Sequence, residues 1–187
     1  MGTRNMTFVV LGGDIKVAQY CQWDGYPTGQ GATILEFFES NPDMKTFAKH
    51  LVNAIQPTPE QIRAWYVEAG DDADNDTGFI GMDVADKFKE AHPSLDRDMG
   101  AGVLQYLLET PIPNLYRDLD FIENKLFCEW AYCVDLDNNV LEVYSSWDIP
   151  SQTEDEGRFG DYPLVAKYPL DALPSKDDFA ELENSGE

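Results

Sequence analysis

Carboxylates dominate the chemistry this chain can offer: 35 Asp and Glu stand against 13 Lys and Arg, for a formal charge of −22. Asp72-x-Asp74-x-Asp76 has the alternating acids with which a calcium loop begins, and Asp83 holds its twelfth position. Such a loop needs Gly at its sixth position for a sharp turn and a bidentate Glu at its twelfth. Thr77 and Asp83 occupy those places, so a solvated acidic loop is the expectation and calcium at Asp72, Asp74, Asp76 and Asp83 the alternative. Asp135-x-Asp137-x-Asn139 departs sooner, with Val140 and Ser146 in the two positions. His50 and His92 are the only histidines, and no cysteine pair has zinc spacing, so no closed zinc site is expected.

Nucleophiles and phosphate cradles are equally sparse. There is no G-x-S-x-G, and Cys21, Cys128 and Cys133 read as core thiols. On a single strand, Cys128 and Cys133 would point to opposite faces and could not pair. Gly29 and Gly31 precede a helix whose amides are suited to an anion, but the Lys and Ser/Thr of a P-loop are missing. No pair can be singled out for acid–base work among 35 carboxylates. No catalytic residue and no cofactor is assigned. The one local cluster with recognition chemistry is Trp23-Asp24-Gly25-Tyr26-Pro27, continued by Gln30. Its rings either plug a strand–helix junction or act as anchors of a binding loop.

The elements that must position these residues follow from periodicity. Thr7–Leu11 and Ile15–Trp23 flank Gly12-Gly13-Asp14 and read as a β-hairpin. Leu126–Leu136 and Val140–Trp147 flank Asp137-Asn138-Asn139 and read as a second one, with Leu164–Leu170 a further edge strand. Between them, helical spacing marks Ala32–Ser40, the Met44–Ile55 stripe, a helix opened by Thr58-Pro59, Asp83–Ala91 and Met99–Glu109. In the third helix Ile62, Trp65, Tyr66 and Ala69 mark the side expected to be buried. The predicted fold is α+β: one antiparallel sheet built from the N-terminal and C-terminal hairpins, packed against a helical middle. Residues 1–170 form one domain and 171–187 an acidic, flexible C-terminal tail.

At 187 residues, a 43% hydrophobic fraction suits one folded domain. No apolar run reaches membrane-spanning length and no signal-peptide core opens the chain, so a cytoplasmic setting is expected. The charge argues against direct binding to nucleic acid or to an anionic membrane. Between Glu68 and Asp86 lie Asp71, Asp72, Asp74, Asp76 and Asp83 without one Lys or Arg. Such a stretch either keeps the chain soluble or complements a basic protein surface.

Two segments carry a resemblance. Tyr20-Cys21-Gln22-Trp23-Asp24-Gly25-Tyr26-Pro27 with the glycine-led helix after it, and Cys128-Glu129-Trp130-Ala131-Tyr132 through Asp135-Leu136-Asp137-Asn138-Asn139, resemble a family of small bacteriophage and prophage proteins. The two motifs stand about a hundred positions apart in the family's order and cover about a fifth of the chain. The resemblance implies an accessory protein acting in the cytoplasm of an infected bacterium and supplies no catalytic residues. With the charge, it implies a protein that binds and modulates a host or anti-phage-defence protein by presenting a DNA-like negative surface. An enzyme or small-ligand binder using Trp23–Gly31 is the alternative, and a phage structural component a further one.

Overall fold

The computed structural model describes residues 2–75 and 77–184. Strands β1 (Asn5–Leu11) and β2 (Asp14–Cys21) form the first hairpin, and β3 (Trp130–Asp135) and β4 (Val140–Ser145) the second, with β5 (Leu164–Pro169) beside β4. The strand order is β2-β1-β3-β4-β5. The α+β architecture stands, but the sheet is mixed. The hairpins meet through β1 and β3, which run parallel with Asn5 opposite Trp130 and Val9 opposite Val134. Parallel pairing brings both hairpin turns to one end of the sheet. There the Asp137 carboxylate accepts from the backbone N–H of Gly12 and of Gly13, each at 2.8 Å. Gly12 and Gly13 have φ of 67° and 77°, which only glycine adopts without strain in a two-residue hairpin.

Six helices follow the apolar spacing: α1 (Ala32–Glu39), α2 (Met44–Val52), α3 (Pro59–Glu68), α4 (Met82–Ala91), α5 (Val103–Glu109) and α6 (Lys176–Asn184). Asp43 caps α2 through the N–H groups of Lys45 and Thr46, and Thr58 with Gln61 forms a capping box on α3. Phe47, Leu104 and Phe179, from α2, α5 and α6, join Val9, Tyr132 and Val134 in the larger apolar core on one sheet face. The opposite face is covered by loops and one 3-10 turn rather than by α-helices, through Ile122, Tyr162 and Phe159 over Phe8, Ala131 and Tyr144. With both faces covered, every residue of β3 is buried.

Three further expectations change. Residues 171–184 are not a free acidic tail: α6 buries Phe179 and Leu182 completely in the larger core. Two apolar side chains one turn apart are enough to dock a short helix whose other faces stay acidic. Cys128 and Cys133 do not lie on opposite faces, because β3 begins only at Trp130. Cys128 sits before the strand, and both thiols pack in the loop-covered cluster. The side of α3 marked for burial is only half-buried, and this helix contributes no fully buried residue. No helix among the described residues is long and apolar enough to cross a membrane.

Candidate functional site

The segment from Trp23 to Gly31 leaves β2 and winds through a single π-helical turn, Pro27–Gly31, into α1. Its backbone is tied down on every side. Gly25 N–H donates to Thr3 O at 3.0 Å, Tyr132 Oη donates to Gly25 O at 2.8 Å, and Gln30 N–H donates to Asp24 O at 2.8 Å. Asp24 holds a φ of 53°, a conformation that Asp tolerates better than most residues. Gly25 cannot carry a side chain here, since a Cβ would stand 2.6 Å from Thr3 O. Tyr26 meets Trp147 edge-on at 5.8 Å. The Gln30 side chain accepts from the N–H of Ala101 at 2.7 Å, which pins the segment ahead of α5. Trp23 is the large side chain that stands out, at 49% exposure, and Asp24 and Thr28 are exposed with it. None of five clefts formed by the described residues is lined by 23–31.

The amides suited to an anion are also in use. The N–H groups of Gly29 and Gly31 donate to Tyr26 O, and that of Thr28 donates to the Glu183 carboxylate of α6 at 2.6 Å. The protein's own carboxylate sits where a bound anion was conceivable. These contacts give the loop a structural role: it locks the sheet, α1 and α6 together.

The acidic stretch forms the end of α3, the first turn of α4 and the loop joining them. Asp71 does not belong to its open face. Its side chain is 8% exposed and pairs with Arg63, whose guanidinium hydrogen bond holds the Asp71 carboxyl below the usual carboxylate range. Asn75 donates to both Asp71 oxygens and to Phe79 O, which sets the loop's path. Asp72 turns one oxygen back onto the N–H of Asp74 at 3.0 Å. Asp72, Asp74 and Asp83 are exposed, whereas Asp76 lies outside the described residues. Among the described residues no three His, Cys, Asp or Glu side chains gather as a metal site. Phe79 and Met82 stand out of this acidic loop at 78% and 84% exposure.

Next to the loop, α3 and α4 face edge strand β2 across a cleft of about 290 Å³. Its walls are Tyr20 of β2, Ile62 and Tyr66 of α3, Phe88 of α4 and Tyr116. The Tyr66 and Phe88 rings stack with centroids 3.8 Å apart and planes 5° from parallel, and behind them Trp65 stacks on His92 at 4.2 Å. Burial lowers the His92 pKa, only partly opposed by Glu68. Gln19, Asp96, Asp118 and Arg97 bring polar groups to the cleft. Gln19 is 5% exposed, and its Oε1 has no hydrogen-bond partner among the described residues. Asp96 is bound to Lys89 at 2.5 Å. Burial raises the Tyr66 pKa, and the charges of Asp96 and Asp71 raise it further.

Sequence reading found Ile62, Tyr66 and Phe88 only as core residues, and did not find Gln19, Asp96, Tyr116 or Asp118. The one hint was in β2, where neither alternating face is cleanly apolar. A second polar cluster lies on the loop-covered sheet face. Arg158 pairs there with Asp135 and, at 2.6 Å, with Glu142, and Tyr144 Oη donates to Glu142 at 2.8 Å. Its groups satisfy one another, as expected of a structural tie between the 151–163 loop and the sheet. Comparison with protein-family models, curated proteins and solved structures finds no match to this chain.

Proposed function

We propose that the protein is a bacteriophage accessory factor that works by binding, docking the α3–α4 loop onto a basic surface of a host or anti-phage-defence protein. The observation that carries this reading is the exposure of Phe79 and Met82 within an acidic stretch free of Lys and Arg. Aromatic and Met side chains are favoured interface anchors, and charge at the rim steers encounter and excludes wrong partners. The net charge of −22 favours a basic partner, of the kind whose surface otherwise holds nucleic acid. The phage setting rests on the two resembling motifs alone.

The alternative, a ligand or substrate site at Trp23–Gly31, has less in its favour: the loop's amides are taken by its own backbone and by Glu183. The test is capture from bacterial lysate by the tagged protein and by a Phe79→Ala/Met82→Ala variant, read by mass spectrometry at low salt and at 1 M salt. The expected result is a partner held by the wild type at low salt, lost at 1 M, where screening lengths fall to about 3 Å, and lost by the double variant. A partner held equally by both proteins would overturn the reading of this surface.

A further inference from the structure

We propose that the cleft between β2 and helices α3 and α4 is a guanidinium slot that takes one arginine side chain of the basic partner. This inference rests on the docking reading above and names the chemistry of its central contact.

The cleft is lined by aromatic rings and by a carboxylate, two groups that a guanidinium recognises. Tyr20, Tyr66, Phe88 and Tyr116 line it, and a cation over an aromatic face is attracted by the ring's quadrupole. An arginine brings five N–H donors and no acceptor, so an unpaired carboxylate oxygen on the cleft wall is its natural partner. Asp118 gives Oδ1 to the N–H of Phe121 at 3.2 Å, and no described residue takes its second oxygen. The volume of about 290 Å³ suits one large side chain rather than a cofactor.

The cations already beside the cleft do not fill this role: Lys89 is held on Asp96, and Arg97 points elsewhere. Its guanidinium donates to Gln22 Oε1 at 2.5 Å and lies 3.9 Å from Asp98, with most of the side chain in solvent. Arginine suits the slot better than lysine because it is less strongly hydrated and stacks as a plane. The two helices that wall the cleft are the two joined by the acidic loop. A basic segment resting on Phe79 and Met82 therefore has its arginine slot on the same helix pair.

The slot is tested on the full chain alone, by NMR titration with N-acetyl-arginine methylamide and with the citrulline, lysine and tryptophan counterparts. The expected result is saturable shifts at the amides of 18–20, 62–66 and 94–97 with the arginine probe, and clearly weaker ones with neutral citrulline. Asp118→Asn keeps an acceptor for the Phe121 N–H and removes the charge. It should weaken the arginine probe about three- to fivefold, the range of a partly exposed ion pair. No saturable shift with arginine, equal shifts with citrulline, or stronger shifts with tryptophan would each overturn the slot. The two readings fail separately. A silent probe beside salt-sensitive capture abolished by Phe79→Ala/Met82→Ala overturns the slot alone, and a bound probe beside capture indifferent to that variant overturns the docking surface.

Discussion

Asp135 shows how one side chain can tie a loop to a sheet and to a pH range. Its side chain is 1% exposed, and burial alone would raise its pKa. The hydrogen bonds from Asn138 and Arg158 outweigh that and hold it below the usual carboxylate value. A depressed carboxyl contributes stability that is complete above its unfolded pKa, about 3.9, and is lost as pH falls through the lower folded value. Arg158→Ala should therefore cost about 3–5 kcal/mol near neutral pH, because Asp135 and Glu142 are left buried without their cation. It should also flatten the acid limb of the stability curve, read by urea unfolding between about pH 3 and pH 7. An unchanged midpoint at neutral pH would show that the loop is not held through Arg158.

The thiols make a second prediction at this scale. All three are free and buried, burial raises each pKa, and that of Cys128 is pushed up to about 12. The thiolate is the reactive form, so a thiol reagent at pH 8 should label the native chain very slowly and all three cysteines after unfolding. Fast labelling of one cysteine in the native state would show that its site opens.

At the scale of elements, α6 decides whether the C-terminal segment is an appendage or part of the domain. Phe179 packs 6.3 Å from Tyr132 and 5.8 Å from Tyr168, and a Cβ on Gly31 would stand 2.5 Å from its ring. Phe179→Ala should cost about 3–5 kcal/mol by thermal or urea unfolding, the loss typical of a buried aromatic. An exposed acid of the same helix, such as Asp177, should tolerate Ala within about 0.5 kcal/mol. Gly31→Ala should be destabilising as well, since the crowded ring belongs to the core and has nowhere to move. A wild-type unfolding midpoint for Phe179→Ala would return 171–184 to the status of a tail.

For the whole molecule, 35 carboxylates on one small domain make self-repulsion a standing cost. Some are neutralised locally, as where Lys89 meets Asp96 and Lys176 meets Glu36, but most have no cation to meet. The unfolding midpoint should rise as salt increases from about 0.01 M to about 0.15 M, where the screening length falls from about 30 Å to about 8 Å. Partner binding should weaken over the same range, because the same screening removes the attraction to a basic surface. A midpoint that falls with salt would mean that ion pairs outweigh repulsion in this chain.

The hairpins and five of the six helices were legible because their signals are local. A Gly-Gly or Asx-rich turn closes within a few residues, a Thr N-cap followed by Pro spans two, and apolar spacing repeats every turn. The residue sequence by itself therefore determined most of the segments that became strand or helix and how much negative charge the chain carries. Only the tertiary structure decided the parallel meeting of β1 with β3, the docking of α6, the hydrogen bond from Thr28 N–H to Glu183 across 155 positions, and the Arg158 tie across 16 and 23. It also assembled the cleft, whose walls come from β2, α3, α4 and the 94–97 and 116–118 segments. Such sites leave little local trace, because a tyrosine facing a cleft and a tyrosine facing the core occupy the same position in a helical repeat. Which one it becomes depends on whether a distant segment covers it.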